Sequence, residues 1–202
     1  MFKLILHTFQ RLRYRLPLKP RQVQIEITNR CNMDCPMCPR EDLNIELEHM
    51  DWSKFVTVVD KLNERENITL TGWGEPFLHP RIFDMITYCK DRGHKVMTTS
   101  NGLFLKEAIV EEILNTDLDE LTFSIDGVED NNVFDGHTSN KVYENIEKIT
   151  KLRKNGKPMI RLQSTLHKGC EKDLYDVIRF GARIGIEAVN VGRIDRKYAP
   201  NL

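Results

Sequence analysis

Val23-Gln24-Ile25-Glu26-Ile27-Thr28 runs straight into Asn29-Arg30-Cys31-Asn32-Met33-Asp34-Cys35-Pro36-Met37-Cys38. The first six residues alternate apolar and polar side chains and favour β-branched types, the pattern of a strand. A loop follows with cysteines in a C-x3-C-x2-C array. Thiols this close together make a soft-ligand site, because thiolates favour zinc, Cu(I) or iron–sulfur clusters over hard ions. A structural zinc site wants four protein ligands, usually two pairs from separate places. Here there is one triplet and no second pair, so a zinc reading must borrow His49 or His79. Three thiolates can instead hold three irons of a four-iron cluster and leave the fourth open to chemistry.

Outward from this stretch, the chain keeps alternating. Further strands are predicted at 67–71, 95–99, 119–125, 159–165 and 187–194, each short and rich in β-branched or aromatic residues. Helical periodicity fills the gaps. Trp52, Phe55, Val59 and Leu62 share a face, as do Ile82, Met85, Ile86 and Cys89, then Val142, Ile146, Ile149 and Leu152, and Leu174, Val177, Ile178 and Gly181, with a weaker stripe over 105–114. Gly93, Gly156 and Gly185 sit just past three helices, where a left-handed cap is expected. Six βα units in succession predict an α/β fold of parallel strands with right-handed crossovers. The pattern leaves open whether the sheet stays flat or curls toward a barrel.

Bulk composition narrows the class. The 202 residues are 40% apolar and 30% charged, with 30 basic against 30 acidic side chains. That predicts a soluble globular domain with a sizeable core and gives no global signal for nucleic acid. No apolar run reaches the length of a membrane span, and the stretch before His7 is too short for a signal peptide. Five cysteines, an odd number with three clustered, argue against a disulfide framework and for a reducing, cytoplasmic setting. Residues 1–22 carry Lys3, Arg11, Arg13, Arg15, Lys19 and Arg21 without an acidic residue. They read as a basic lead-in helix closed by Pro17 and Pro20, with 23–202 as the core domain.

In parallel α/β folds the active site lies at the carboxyl ends of the strands. The unusual residues of this chain fall at those ends. The cysteine loop follows the first strand, Gly72-Trp73-Gly74-Glu75-Pro76 the second, and Ser100-Asn101-Gly102 the third. Ser124-Ile125-Asp126-Gly127 closes the fourth, and Gln163-Ser164-Thr165 ends the fifth. Each alone is an everyday turn, but their shared placement on one rim points to a built site.

The cysteine loop, Gly72-Trp73-Gly74-Glu75-Pro76, Thr99-Ser100-Asn101-Gly102 and Ser124-Ile125-Asp126-Gly127, in that order, resemble the radical S-adenosylmethionine superfamily. Glu26-Ile27-Thr28-Asn29-Arg30-Cys31 and Cys35-Pro36-Met37-Cys38-Pro39-Arg40 are similar to its branch of molybdenum-cofactor cyclases and SPASM-domain enzymes. The resemblance implies a partial (β/α)6 TIM-like barrel holding a 4Fe-4S cluster on Cys31, Cys35 and Cys38. Its open iron would bind S-adenosylmethionine, whose one-electron cleavage would give a 5′-deoxyadenosyl radical that takes hydrogen from substrate. An electron donor such as flavodoxin or ferredoxin and a peptide or small-molecule substrate are implied as partners.

On that resemblance, Gly74 lets backbone approach the ligand, and Glu75, beside Pro76, offers carboxylate or carbonyl to the methionine ammonium. Met37 packs on adenine. Asn101 shares the rim, while Ser124, Asp126, Gln163 and Ser164 serve ribose hydroxyls or the methionine carboxylate, and Val191 flanks adenine. Relatives carry an arginine after the Ser-Ile-Asp-Gly segment where this chain has Asp135; Lys168 or Arg193 would have to substitute. The sequence ends at Leu202 with only Cys89 and Cys170 remaining, so no auxiliary cluster is expected and a partner chain is a candidate to complete the barrel. The alternative reading is a catalytically silent iron–sulfur or zinc module. Cys89 is read as a buried small hydrophobe and Cys170 as a passive surface thiol.

Overall fold

The computed structural model describes residues 22–40, 42, 44–63, 66–127 and 140–193. The basic lead-in, Asp135 and the end of the chain therefore lie outside the described residues. Among those described, six strands alternate with five α-helices: β1 (Gln22–Ile25), α1 (Trp52–Val59), β2 (Asn67–Leu70), α2 (Ile82–Asp91), β3 (Lys95–Ser100), α3 (Glu107–Asn115), β4 (Glu120–Ser124), α4 (Asn140–Leu152), β5 (Met159–Leu166), α5 (Glu171–Ile184) and β6 (Ala188–Arg193).

All neighbouring strands pair in parallel, and their order in the sheet is their order in the chain. Successive right-handed crossovers that always step the same way put every helix on the same side. A twisted sheet covered on one side curls around its bare face, here into a partial barrel left open because β1 and β6 do not pair. The alternation read from sequence supplies the two faces. Ile68, Leu70, Val96, Leu121, Phe123, Ile160 and Leu162 point toward the helices and meet Phe55, Ile86, Ile113, Ile146 and Val177 in one continuous core. Of the intervening positions on the bare face, Gln24, Thr69, Thr99, Ser124 and Gln163 are polar and line one cavity.

Local signals set the helix ends. Asp51 caps α1 by accepting from the Ser53 N–H at 2.8 Å. Gly185 closes α5 at φ 76°, and Gly93 and Gly156 are also left-handed, as the sequence predicts. Strands two to six match their expected ranges to within one residue at each end, and the first differs more. The first strand was expected to reach residue 28, but its parallel ladder ends at Ile25. Beyond it the chain turns to the returning segment 46–50: Met50 N–H donates to Ile27 O at 2.7 Å, and the Asn29 amide brackets Glu46 O and Glu48 N–H at 2.8 and 2.7 Å. That segment covers the outer edge of the chain just before Cys31. No described helix is long and apolar enough to cross a membrane.

Candidate cofactor site

At the carboxyl ends of the strands lies a cavity of about 460 Å³, within the range of small-molecule sites. Cys31, Cys35 and Cys38 line it together with Gly72, Trp73, Gly74, Glu75, Asn101, Ser124 and Gln163. The three cysteines are half-buried and form no disulfide among the described residues. Burial pushes the Cys31 thiol above its ordinary value; the Met33 N–H opposes this, Glu75 adds to it, and the Arg40 guanidinium opposes it.

Two loops are stitched together to make this wall. Glu75 N–H donates to Arg30 O at 2.8 Å, directly before Cys31. Gly74 packs so closely that a β-carbon there would lie 2.4 Å from Thr28 O and 2.6 Å from Arg30 O. Glycine is thus required by the neighbouring backbone, a reason independent of any ligand and different from the one anticipated. Trp73 N–H is held by Glu26 Oε1 at 2.6 Å, and the Trp73 ring remains 43% exposed on the rim.

Glu75 lines the cavity, but its side chain is turned inward and the residue is only 2% exposed. Oε1 accepts from Phe77 N–H at 3.2 Å and from Ser100 Oγ at 3.0 Å, while Oε2 accepts from Asn101 N–H at 2.8 Å. Burial drives its pKa up to about 7 against the pull of these three donors. The carboxylate is a joint between the loops after β2 and β3. Asn101 carries the joint onward, with Nδ2 2.9 Å from Asn32 Oδ1 and 3.8 Å from Cys31 Sγ, and Oδ1 accepting from Leu103 N–H at 3.0 Å.

Other anticipated ligand contacts sit elsewhere. Asp126 is buried, accepts from Thr165 N–H and from Ser164 Oγ, and so ties the tips of β4 and β5; burial raises its pKa. Ser164 shares the helix-facing side of β5 with Ile160 and Leu162, which is why it meets Asp126 and not the cavity. Pro76 is buried at the start of a 3-10 turn, and Val191 is exposed on the terminal strand; neither lines the cavity. Met37 is also outside the lining, whereas Met33, passed over in the sequence, is in it. Gln24, Thr69, Thr71 and Thr99 were missed as well, although they are the polar members of strands whose apolar members marked the core. Lys168 and Arg193 are exposed, and neither reaches the lining.

The zinc alternative loses its fourth ligand. Both ring nitrogens of His79 are engaged: Nδ1 accepts from Arg81 N–H at 3.0 Å, and Nε2 lies 3.1 Å from Met50 O. His49 packs edge-on against His79, and neither lines the cavity. Among the described residues no three His, Cys, Asp or Glu side chains converge as a single ion demands.

A family model for the Radical SAM superfamily matches residues 25–180. This chain belongs to the radical SAM superfamily. It is 31% identical over 179 residues to the tungsten-containing aldehyde ferredoxin oxidoreductase cofactor-modifying protein of Pyrococcus furiosus, covering 84% of this chain and 50% of that protein. It is 27% identical over 157 residues to the GTP 3′,8-cyclase of Chlorobaculum tepidum, covering 75% and 46%. The chain thus spans about half the length of these curated relatives. Streptococcus suis SuiB bound to its precursor peptide SuiA shares the fold with a TM-score of 0.73 at 14% identity, over 94% of this chain and 43% of that one.

The family's cofactors are a 4Fe-4S cluster and S-adenosylmethionine. The residues present in this radical SAM chain fit both. Three thiols share one cavity with a polar wall. Two residues past Cys38, the Nε of Arg40 is buried with no hydrogen-bond partner among the described residues, a donor left over in a thiol-rich loop.

Proposed function

We propose that this chain is the cofactor-bearing core of an enzyme that cleaves S-adenosylmethionine reductively and takes hydrogen from a peptide or small-molecule substrate. The observation that carries this reading is the joined wall: the cysteine loop and the Gly72–Glu75 turn line one cavity and are tied by Glu75 N–H to Arg30 O at 2.8 Å. When bound, the cluster and S-adenosylmethionine supply one-electron cleavage of the sulfonium and hydrogen abstraction, with deoxyadenosine released.

The chain's own residues hold and orient. Cys31, Cys35 and Cys38 would ligate three irons, leaving the fourth for the methionine end of the cosubstrate. Backbone groups of Thr71–Gly74 and the side chains of Asn101, Ser124 and Gln163 offer donors and acceptors to its ammonium, carboxylate and ribose. Met33 and Trp73 give apolar surface for the adenine ring. The buried joints at Glu75 and Asp126 fix these elements before ligand arrives, so little ordering cost falls on binding. A flavodoxin or ferredoxin would supply the electron. The substrate classes come from the relatives, whose names divide between a cofactor, a nucleotide and a precursor peptide.

The test is product formation. After anaerobic reconstitution with iron and sulfide, the protein should release deoxyadenosine from S-adenosylmethionine when given dithionite. Equal release by Cys35→Ala would remove the assignment, and metal binding without any release would favour the silent module.

A further inference from the structure

The cysteine loop contains one buried charge, Arg40, that is only weakly paired among the described residues. Arg40 lies two residues past Cys38, and its side chain is only 11% exposed. Nη2 donates to Met33 O at 2.9 Å, inside the loop between Cys31 and Cys35. Its ion-pair partner is Asp34, 3.6 Å away and 69% exposed, so solvent weakens that pairing. Nε is buried and has no partner among the described residues. Leaving a guanidinium N–H buried and unpaired is costly.

We propose that Arg40 is a positioning residue that sets the charge balance and reduction potential of the iron–sulfur cluster, with its Nε–H kept for the thiolate-bound cluster. The inference rests on the cluster reading above. Three thiolates around a four-iron core carry net negative charge, and the electron that starts the reaction increases it. A nearby buried cation and an N–H donor both stabilise the reduced form, and net charge and hydrogen bonds to sulfur are among the levers that set such potentials. The clamp on Met33 O holds that cation on the loop that carries the ligands.

The experiment is an EPR-monitored redox titration of the reconstituted full chain, with iron counted in each sample. Arg40→Gln should load as much iron as the parent and titrate at a more negative potential. Arg40→Lys, which keeps the charge but loses the Nε–H, should fall between them. A fully loaded Arg40→Gln protein with the parent potential overturns the proposal. Should Arg40→Gln load no cluster, Arg40→Lys decides: a potential below the parent supports the proposal, while the parent potential or failure to load makes Arg40 a mere loop clamp and overturns it. A parent chain that takes up no four-iron cluster sinks the cluster reading itself, a result distinct from equal potentials.

Discussion

Glu75 shows how a side chain's role is decided by donors far away in sequence. Phe77 is close by, but Ser100 and Asn101 come from the end of the next strand, and together they pull the carboxylate inward. With a folded pKa of about 7 against an ordinary 4.5, Glu75 keeps its proton in the folded chain over a window where the unfolded chain has lost it. Its contribution is therefore fully present below about 4.5 and is lost as pH climbs through 7. From the shift the difference is roughly 3 kcal/mol. Urea unfolding of the metal-free protein between pH 5 and 8 should show stability falling with pH, and Glu75→Gln should flatten that slope; parallel slopes would refute it. Cysteine placement makes a second contrast. Cys89 is fully buried with its thiol pushed up to about 12, matching its sequence reading, whereas Cys170, read as a surface thiol, is buried beneath the start of α5. Cys89→Ala and Cys170→Ala should leave iron loading at the parental level, while Cys31→Ala should lower it in the same assay.

Between neighbouring elements, fit is controlled by alternation and close approach. Phe123 faces the helices and is fully buried, while Ser124, one residue on, faces the cavity. Phe123→Ala should cost about 3–5 kcal/mol in urea unfolding, whereas Ser124→Ala should stay within about 0.5 kcal/mol and act on S-adenosylmethionine binding instead. Equal destabilisation by both would contradict the two-faced sheet. At Gly74 the obstruction is backbone on both sides, so Gly74→Ala should cost about 1–3 kcal/mol and reduce iron loading by parting the loops. Period-two patterning made the strands legible, and the same patterning holds the cavity floor of Gln24, Thr69 and Thr99, which is easily overlooked because polar strand residues look merely solvated. Not legible was the shortened β1. The segment 46–50 that pairs with Ile27 and Asn29 carries no strand signal of its own.

Across the whole molecule, chain order and strand order coincide, and that coincidence gathers the cysteines, the Gly-Trp-Gly-Glu-Pro turn and the Asn-Gly turn on one rim. Those loops were readable because each follows a strand directly and a parallel sheet sends every strand end the same way. The curl of the sheet was not readable from periodicity alone, since it depends on every crossover stepping in one direction. Which rim residues line the cavity also escaped the sequence: Asp126 and Ser164 bond to each other across strands, and Met33 rather than Met37 is in the lining. The central claim is that three thiols and the turn after β2 make one site in which a cluster meets S-adenosylmethionine. The most direct measurement is the EPR spectrum of the reduced, reconstituted protein with and without S-adenosylmethionine, recorded cold enough to halt turnover. A four-iron signal whose g-values shift when S-adenosylmethionine is added is the predicted result; a four-iron signal left unchanged at saturating S-adenosylmethionine would contradict the claim.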